Sequence, residues 1–242
     1  MKRLSLLAAA TLLSTGAMAQ SQGDWIVRAG AGWVNPTGDS NSLNFEGSRL
    51  DGYQIDVQDQ LGFVINATYM ATNNIGLEVL AAAPFKHDIE GDNVLGGLGE
   101  LGSTRHLPPV LSVQYHFAPD ANFRPYAGVG VNWTLFFDEK ANDTLHQGII
   151  GTSNALLGTD YTGGSTSLSI DDSFGLAFQI GADWQISDAF FLNFDLRWID
   201  IEADAKLTTR TEDGQGFATT LTSRITHDID PIVFSTTLGM RF

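Results

Sequence analysis

Cysteine is absent from the 242 residues, which excludes disulfides and thiolate metal sites alike. Charge is also scarce: Asp, Glu, Lys and Arg make up 17% of the chain, against ~25% in typical soluble domains. What charge there is leans to one sign, 13 basic against 28 acidic residues, for a net of −15. Such a chain repels phosphate backbones, so nucleic acid is excluded as a partner. Long apolar runs are the third scarcity. Beyond residue 19 none approaches the ~20 residues that a membrane helix needs, so any membrane would have to be crossed by strands. A mean hydropathy of −0.02 with so few charges is too greasy for a soluble surface and too polar for helical spans. A transmembrane β-barrel, whose lipid face replaces half of each strand's polar side chains, lies between those limits.

The N-terminus supplies a route to such a location. Lys2 and Arg3 precede the apolar run Leu4 to Leu13, and Ala17-Met18-Ala19 offers an A-x-A-like cleavage site. Residues 1–19 are therefore expected to be a Sec-type secretory signal peptide that is removed. Residues 20–242, about 223 in number, then form a single β-barrel domain. Losing Lys2 and Arg3 takes the net charge to −17.

The mature sequence repeats with period two. Trp25, Val27, Ala29, Ala31 and Trp33 alternate with Ile26, Arg28, Gly30, Gly32 and Val34. The same pattern recurs over 61–70, 75–82, 109–117, 125–135, 174–186, 190–198 and 232–242, which gives eight strands, an even count as bacterial outer-membrane barrels require. Short turns at Thr72, Ala118 and Ser187 alternate with long segments at 37–59, 86–105, 138–167 and 206–228. The predicted fold is thus an all-β, eight-stranded antiparallel transmembrane barrel of up-and-down topology. Its termini and short turns face the periplasm, and its four long loops face outward. Trp25, Trp33, Tyr69, Trp133, Trp184, Trp198 and Phe242, near strand ends, suit interfacial girdles. The closing Phe242, with Leu238 and Met240 on its face, is the expected signal to the barrel-assembly machinery.

The inward phase carries Arg28, Glu78, Gln114, His116, Gln179, Asp183, Asn193, Asp195, Arg197 and Arg241 among many glycines. An eight-stranded lumen holds only its own side chains or one small ligand, so these groups are expected to pair into a plug rather than line a wide pore. Proline gives a second clue. Pro84 ends the third strand and Pro108-Pro109 opens the fourth, each removing a ladder donor where two strands should meet. Two readings stay open: a lateral seam through which an apolar solute leaves for the membrane, and simple strand stops at the rim. Acidic residues crowd the long loops without a calcium-loop spacing, so no metal or cofactor is assigned. Catalysis is not expected either. Ser112 and His116 share a strand face but lie ~13 Å apart along it, too far for proton transfer.

Several uncommon blocks occur in order: Tyr69 to Glu78, Ala83-Pro84-Phe85-Lys86-His87, His106-Leu107-Pro108-Pro109, Phe123 to Gly130, and Gly239-Met240-Arg241-Phe242. Together they resemble the outer membrane protein W (OmpW) family from about Asp24 to Phe242. The resemblance implies an eight-stranded barrel in the outer membrane of Gram-negative bacteria. It also implies a hydrophobic channel for small apolar molecules, with ion-conducting or phage and bacteriocin receptor roles in some members. No catalytic residue follows from it. The segment Asp138 to Ser167 departs from the family pattern, being longer and richer in Gly and Thr. The expected function is passage of small hydrophobic solutes, or of small ions, across the outer membrane, with membrane lipid, lipopolysaccharide and the solutes as partners. Its rivals are a non-transporting surface barrel with a structural or receptor role, and a soluble lipocalin-type carrier.

Overall fold

The computed structural model describes residues 20–242, so the expected signal peptide lies outside the described residues. In chain order the strands are β1 (Trp25–Asn35), β2 (Leu43–Phe45), β3 (Ser48–Leu50), β4 (Tyr53–Val57), β5 (Gln60–Met70), β6 (Ile75–Ala82), β7 (Phe85–Asn93), β8 (Glu100–Leu107), β9 (Val110–His116) and β10 (Phe123–Ala141). Helix α1 (Asp143–Leu157) follows, then β11 (Thr162–Ile170), β12 (Ser173–Gln185), β13 (Phe190–Ile199), β14 (Glu202–Glu212), β15 (Ala218–Asp228) and β16 (Ile232–Arg241).

Eight of these close a barrel in the order β1, β5, β6, β9, β10, β12, β13, β16, each antiparallel to its neighbours. The last strand returns to the first over Ile26↔Arg241 to Asn35↔Ile232, so the barrel wall itself has no open edge. They are the eight strands that period two marks out, in the same phase. Leu61, Phe63 and Phe174 on the outward face are 71%, 52% and 73% exposed. Water would not tolerate that band; lipid does. Trp25, Tyr69, Trp184 and Phe242 ring the short-turn end, while Trp33 and Trp133 ring the other, all of them exposed. Within the barrel wall the oily edges face outward and the charges of Arg28, Glu78, Asp183, Asp195 and Arg197 face in, which is the reverse of a lipocalin-type carrier.

The long connections are not irregular loops, as the sequence reading has them. β10 runs 19 residues, about 60 Å of strand at ~3.3 Å per residue, well beyond the ~25 Å apolar band. Its upper part pairs with β8, which pairs with β7, which pairs with β4. A second sheet runs β11, β14, β15, β2, β3, and α1 lays Ile149 against Phe45, Leu207 and Leu221 of it. Period two extends into these segments as well. In β14, Ala203, Ala205, Leu207, Thr209 and Thr211 turn inward while Glu202, Asp204, Lys206 and Arg210 are exposed. Charge on the solvated face makes such a strand look like loop. Asn142 caps α1, its side-chain oxygen accepting from the Leu145 amide, and Gly158 ends it in the left-handed conformation.

Candidate functional site

The lumen is layered. At the short-turn end Ile26, Met70 and Phe191 form an apolar floor. Above it lies the polar network that the inward phase predicts. Arg28 grips Asp183 with two bonds, Nε to Oδ1 at 2.9 Å and Nη2 to Oδ2 at 2.8 Å, and donates a third to Thr68 at 2.9 Å. Arg197 Nη2 donates to Glu78 at 2.7 Å and to Gln179 at 2.6 Å, while its Nε reaches Asp195 at 3.3 Å. Gln114 donates to Glu78 at 2.7 Å and accepts from Thr68 at 3.3 Å, and one His116 ring nitrogen sits 3.2 Å from the Gln114 side-chain oxygen.

Of the ten residues named from sequence for this network, all but Arg241 are brought together, and those nine are buried. Arg241 is the exception. It stands at the mouth, about a quarter exposed, 3.5 Å from Asp24. The terminal turn of β16 has already cleared the packed interior there. The sequence reading missed Tyr126, whose hydroxyl donates to Asp195 at 2.9 Å and accepts from Asn193 at 2.9 Å, bridging the two arginine clusters. It also missed Arg124, which lies over the Phe191 ring at 5.4 Å and donates to Gln185 at 2.7 Å. Both sit on the inward phase of β10, so the signal was present. Such large side chains fit only because a facing position is empty: a Cβ on Gly181 would overlap the Tyr126 hydroxyl. Gln20, the residue expected to start the mature chain, closes the mouth, donating to Asp183 at 3.2 Å from its side chain and to the Pro119 carbonyl at 2.9 Å from its backbone.

The other half of the lumen is apolar. Val34, Val64, Leu80, Val110, Ala177, Ile199, Ile201 and Val233 are buried in one cluster with Phe85 and Phe136. A small cavity of ≈ 20 Å³ sits among them, its wall including Val34, Val64, Leu80 and Val233. Polar filling does not run the length of the barrel.

The prolines border this cavity. The β6–β9 ladder stops at Leu80↔Val110, and β7–β8 pairing starts at Phe85↔His106. Between them, 81–84 and 107–109 form no cross-strand pair with each other; Ala83 bonds back to Phe63, and the Pro109 carbonyl accepts from Trp133. Pro84 and Pro108-Pro109 thus bound a gap in the wall, and Ala82, Phe85, His106 and Pro108 line the cavity from both of its lips. Leu238, Met240 and Phe242 lie together on the lipid side of β16, Phe242 63% exposed.

Among known proteins, the chain is 40% identical over 204 residues to outer membrane protein W of Vibrio cholerae serotype O1, covering 84% of each. A protein of Pseudomonas aeruginosa described as dibenzothiophene metabolism operon protein PahQ is 21% identical over 203 residues, 84% of this chain and 82% of that one. The crystal structure of the outer membrane protein OprG from Pseudomonas aeruginosa superposes with a TM-score of 0.77 at 27% identity, covering 94% of this chain and 99% of that one. The Vibrio cholerae relative and OprG are outer membrane proteins, and the outer membrane is where this barrel resides. With the OmpW family model matching residues 21–242, the chain belongs to the OmpW family.

Proposed function

We propose that this barrel carries small apolar molecules from the outer surface into the upper lumen and releases them sideways, through the gap between β6 and β9, into the membrane. The observation that carries this reading is the coincidence of an apolar cavity and an unpaired stretch of wall lined by Ala82 and Pro108 at one height, with a buried, ion-paired polar network underneath. A solute that cannot pass the network has one way out. An apolar molecule gains nothing from crossing a layer of buried charge, while a lateral exit keeps it in contact with grease throughout. Tethered to the same reading is the relative named for dibenzothiophene metabolism, an aromatic apolar compound. Ions are not expected to pass. Lipopolysaccharide at the outward girdle, and the barrel-assembly machinery at the Leu238, Met240, Phe242 face, remain the proposed partners.

The test uses vesicles with lipopolysaccharide in the outer leaflet, the barrier such a protein would bypass. Uptake of an apolar dye should rise with the barrel and fall several-fold in the Pro108→Ala, Pro109→Ala double variant, where restored amide donors can knit the wall. Unchanged uptake through a folded variant removes the seam from the reading. A silent wild-type barrel favours the surface-barrel alternative, for which the exposed Leu156 and Leu157 at the end of α1 and Phe217 in the β14–β15 turn supply apolar contacts.

A further inference from the structure

The roof of the apolar chamber holds two histidines that neither the network nor the seam explains. His87 on β7 and His106 on β8 lie with ring centroids 4.6 Å apart, 31° from parallel. Phe85 and Phe136 each meet the His106 ring edge-on at 5.9 Å. The two side chains are 0% and 2% exposed. Burial lowers the pKa of both, that of His106 to about 3 with His87 beside it, so both rings are neutral in ordinary conditions.

A neutral imidazole has one N–H and one lone pair, and both seek partners when buried. His87 Nδ1 lies 2.7 Å from the Gln58 carbonyl, which makes that nitrogen the donor and leaves Nε2 with a lone pair. Nothing bonds to that Nε2, nor to the Nε2 of His106. Phenylalanine at either position would keep the ring packing without an unsatisfied nitrogen. His106 also borders the cavity, next to Ala82, Phe85 and Pro108. Polar capacity without a partner, set in the wall of an apolar chamber, is the arrangement expected of a site that holds one polar group of a ligand.

We propose that the His87–His106 pair selects the solute: the chamber takes apolar molecules that carry one hydroxyl, alcohols and phenols, in preference to hydrocarbons of the same shape. A hydroxyl is matched to the pair because it donates to an imidazole lone pair and accepts from an imidazole N–H. His106, on the cavity wall, makes the direct contact, and His87 behind it is the second partner. The proposal rests on the transport function above and names its substrate class. At rest the cavity of ≈ 20 Å³ is smaller than any such solute, so the ligand parts the lips at 81–84 and 107–109, which no ladder pair joins to each other.

The decisive comparison is p-cresol with p-xylene, equal in shape and differing by hydroxyl for methyl. In the full barrel carrying ¹³C-labelled histidine, p-cresol should shift the His106 and His87 ring signals while p-xylene leaves them in place. In lipopolysaccharide-faced vesicles p-cresol uptake should exceed p-xylene uptake by about tenfold, the scale of one buried hydrogen bond, and the ratio should fall toward one in His106→Phe. Ring signals unmoved by p-cresol overturn the proposal, as does a folded H106F barrel with the wild-type ratio. The wild-type spectra decide even if that variant fails to fold. Ring signals that shift in a barrel passing neither compound uphold the recognition site and remove the transport function. Equal passage of both compounds does the opposite.

Discussion

The two halves of this lumen are built from the same eight strands yet solve opposite problems. Toward the periplasm, Arg28, Asp183, Glu78, Asp195 and Arg197 are locked by bonds of 2.6 to 3.3 Å to one another and to their neutral neighbours. Toward the outside, Val34, Val64, Leu80, Ile199 and Val233 meet across a small void with no directional bonds. Buried charges are tolerable only while paired, so the lower half is rigid by necessity. Apolar side chains slide past one another at little cost, so the upper half can change shape. The wall follows the same division: the β6–β9 ladder is continuous from Ile75↔Tyr115 beside the network to Leu80↔Val110, and it stops where the chamber begins. Rigidity below and compliance above are what a barrel needs if it is to admit a solute without leaking ions.

The comparison breaks most visibly through single deletions. Arg28→Ala strands the Asp183 carboxylate, 0% exposed, and should lower barrel stability by about 3–5 kcal/mol, read from urea unfolding in lipid vesicles. Arg28→Met combined with Asp183→Leu should recover most of that loss, because the penalty comes from the orphaned charge. If R28A costs less than ~1 kcal/mol, water reaches the network and the lower half is not a seal.

Much of this was legible before any coordinates. Period two places Arg28, Glu78, Gln114, His116, Asp183, Asp195 and Arg197 on inward faces, and elementary electrostatics requires them to pair. The same phase turns Val34, Val64, Leu80 and Val110 inward. What a strand's period does not carry is height, because the stagger between neighbours in a closed barrel is set by their pairing. Two separate layers, one polar and one apolar, were therefore invisible as layers. Arg241 shows the same limit from the other side: its phase is right and its height puts it on the rim. The outer sheets escaped for another reason, since Glu202, Asp204, Lys206 and Arg210 alternate with buried residues in β14 and their charge masks the strand. The histidine pair gives no sequence signal, as His87 and His106 meet only through the register Phe85↔His106 to His87↔Thr104.

In the upper half, Val64→Ala removes two carbons from the chamber wall and should cost about 1.5 kcal/mol at ~0.8 per buried carbon. Unlike the arginine variant it should raise solute uptake, because the space it vacates adjoins the cavity. A loss of stability without any gain in uptake would mean that the chamber is only packing. Gly62→Ala acts in the other direction. A Cβ there would overlap the Phe85 ring, and pushing that ring aside should cost about 1 kcal/mol, the lower end of overpacking, since Phe85 borders unpaired wall. Uptake should fall several-fold if Phe85 is pressed into the cavity, and stay constant if the ring swings outward through the gap.

Acidification gives the smallest expected effect and the finest test of how compliant the roof is. Burial depresses the His106 pKa to about 3, whereas on local opening it returns toward 6.5, the ordinary histidine value. The stability that this residue contributes is complete above 6.5 and is lost as pH falls toward 3, because only the opened state takes up the proton. Between pH 7 and pH 6 the opened population should rise about threefold from His106 alone. Hydrogen exchange should show it in β7 and β8 and not in β1 or β12, whose network is anchored by arginines that do not titrate in this range. In the double variant His87→Phe, His106→Phe the dependence should vanish. If it persists there, the acid-sensitive element is elsewhere, and His227 on β15, also buried with its pKa lowered by burial, is the next group to replace.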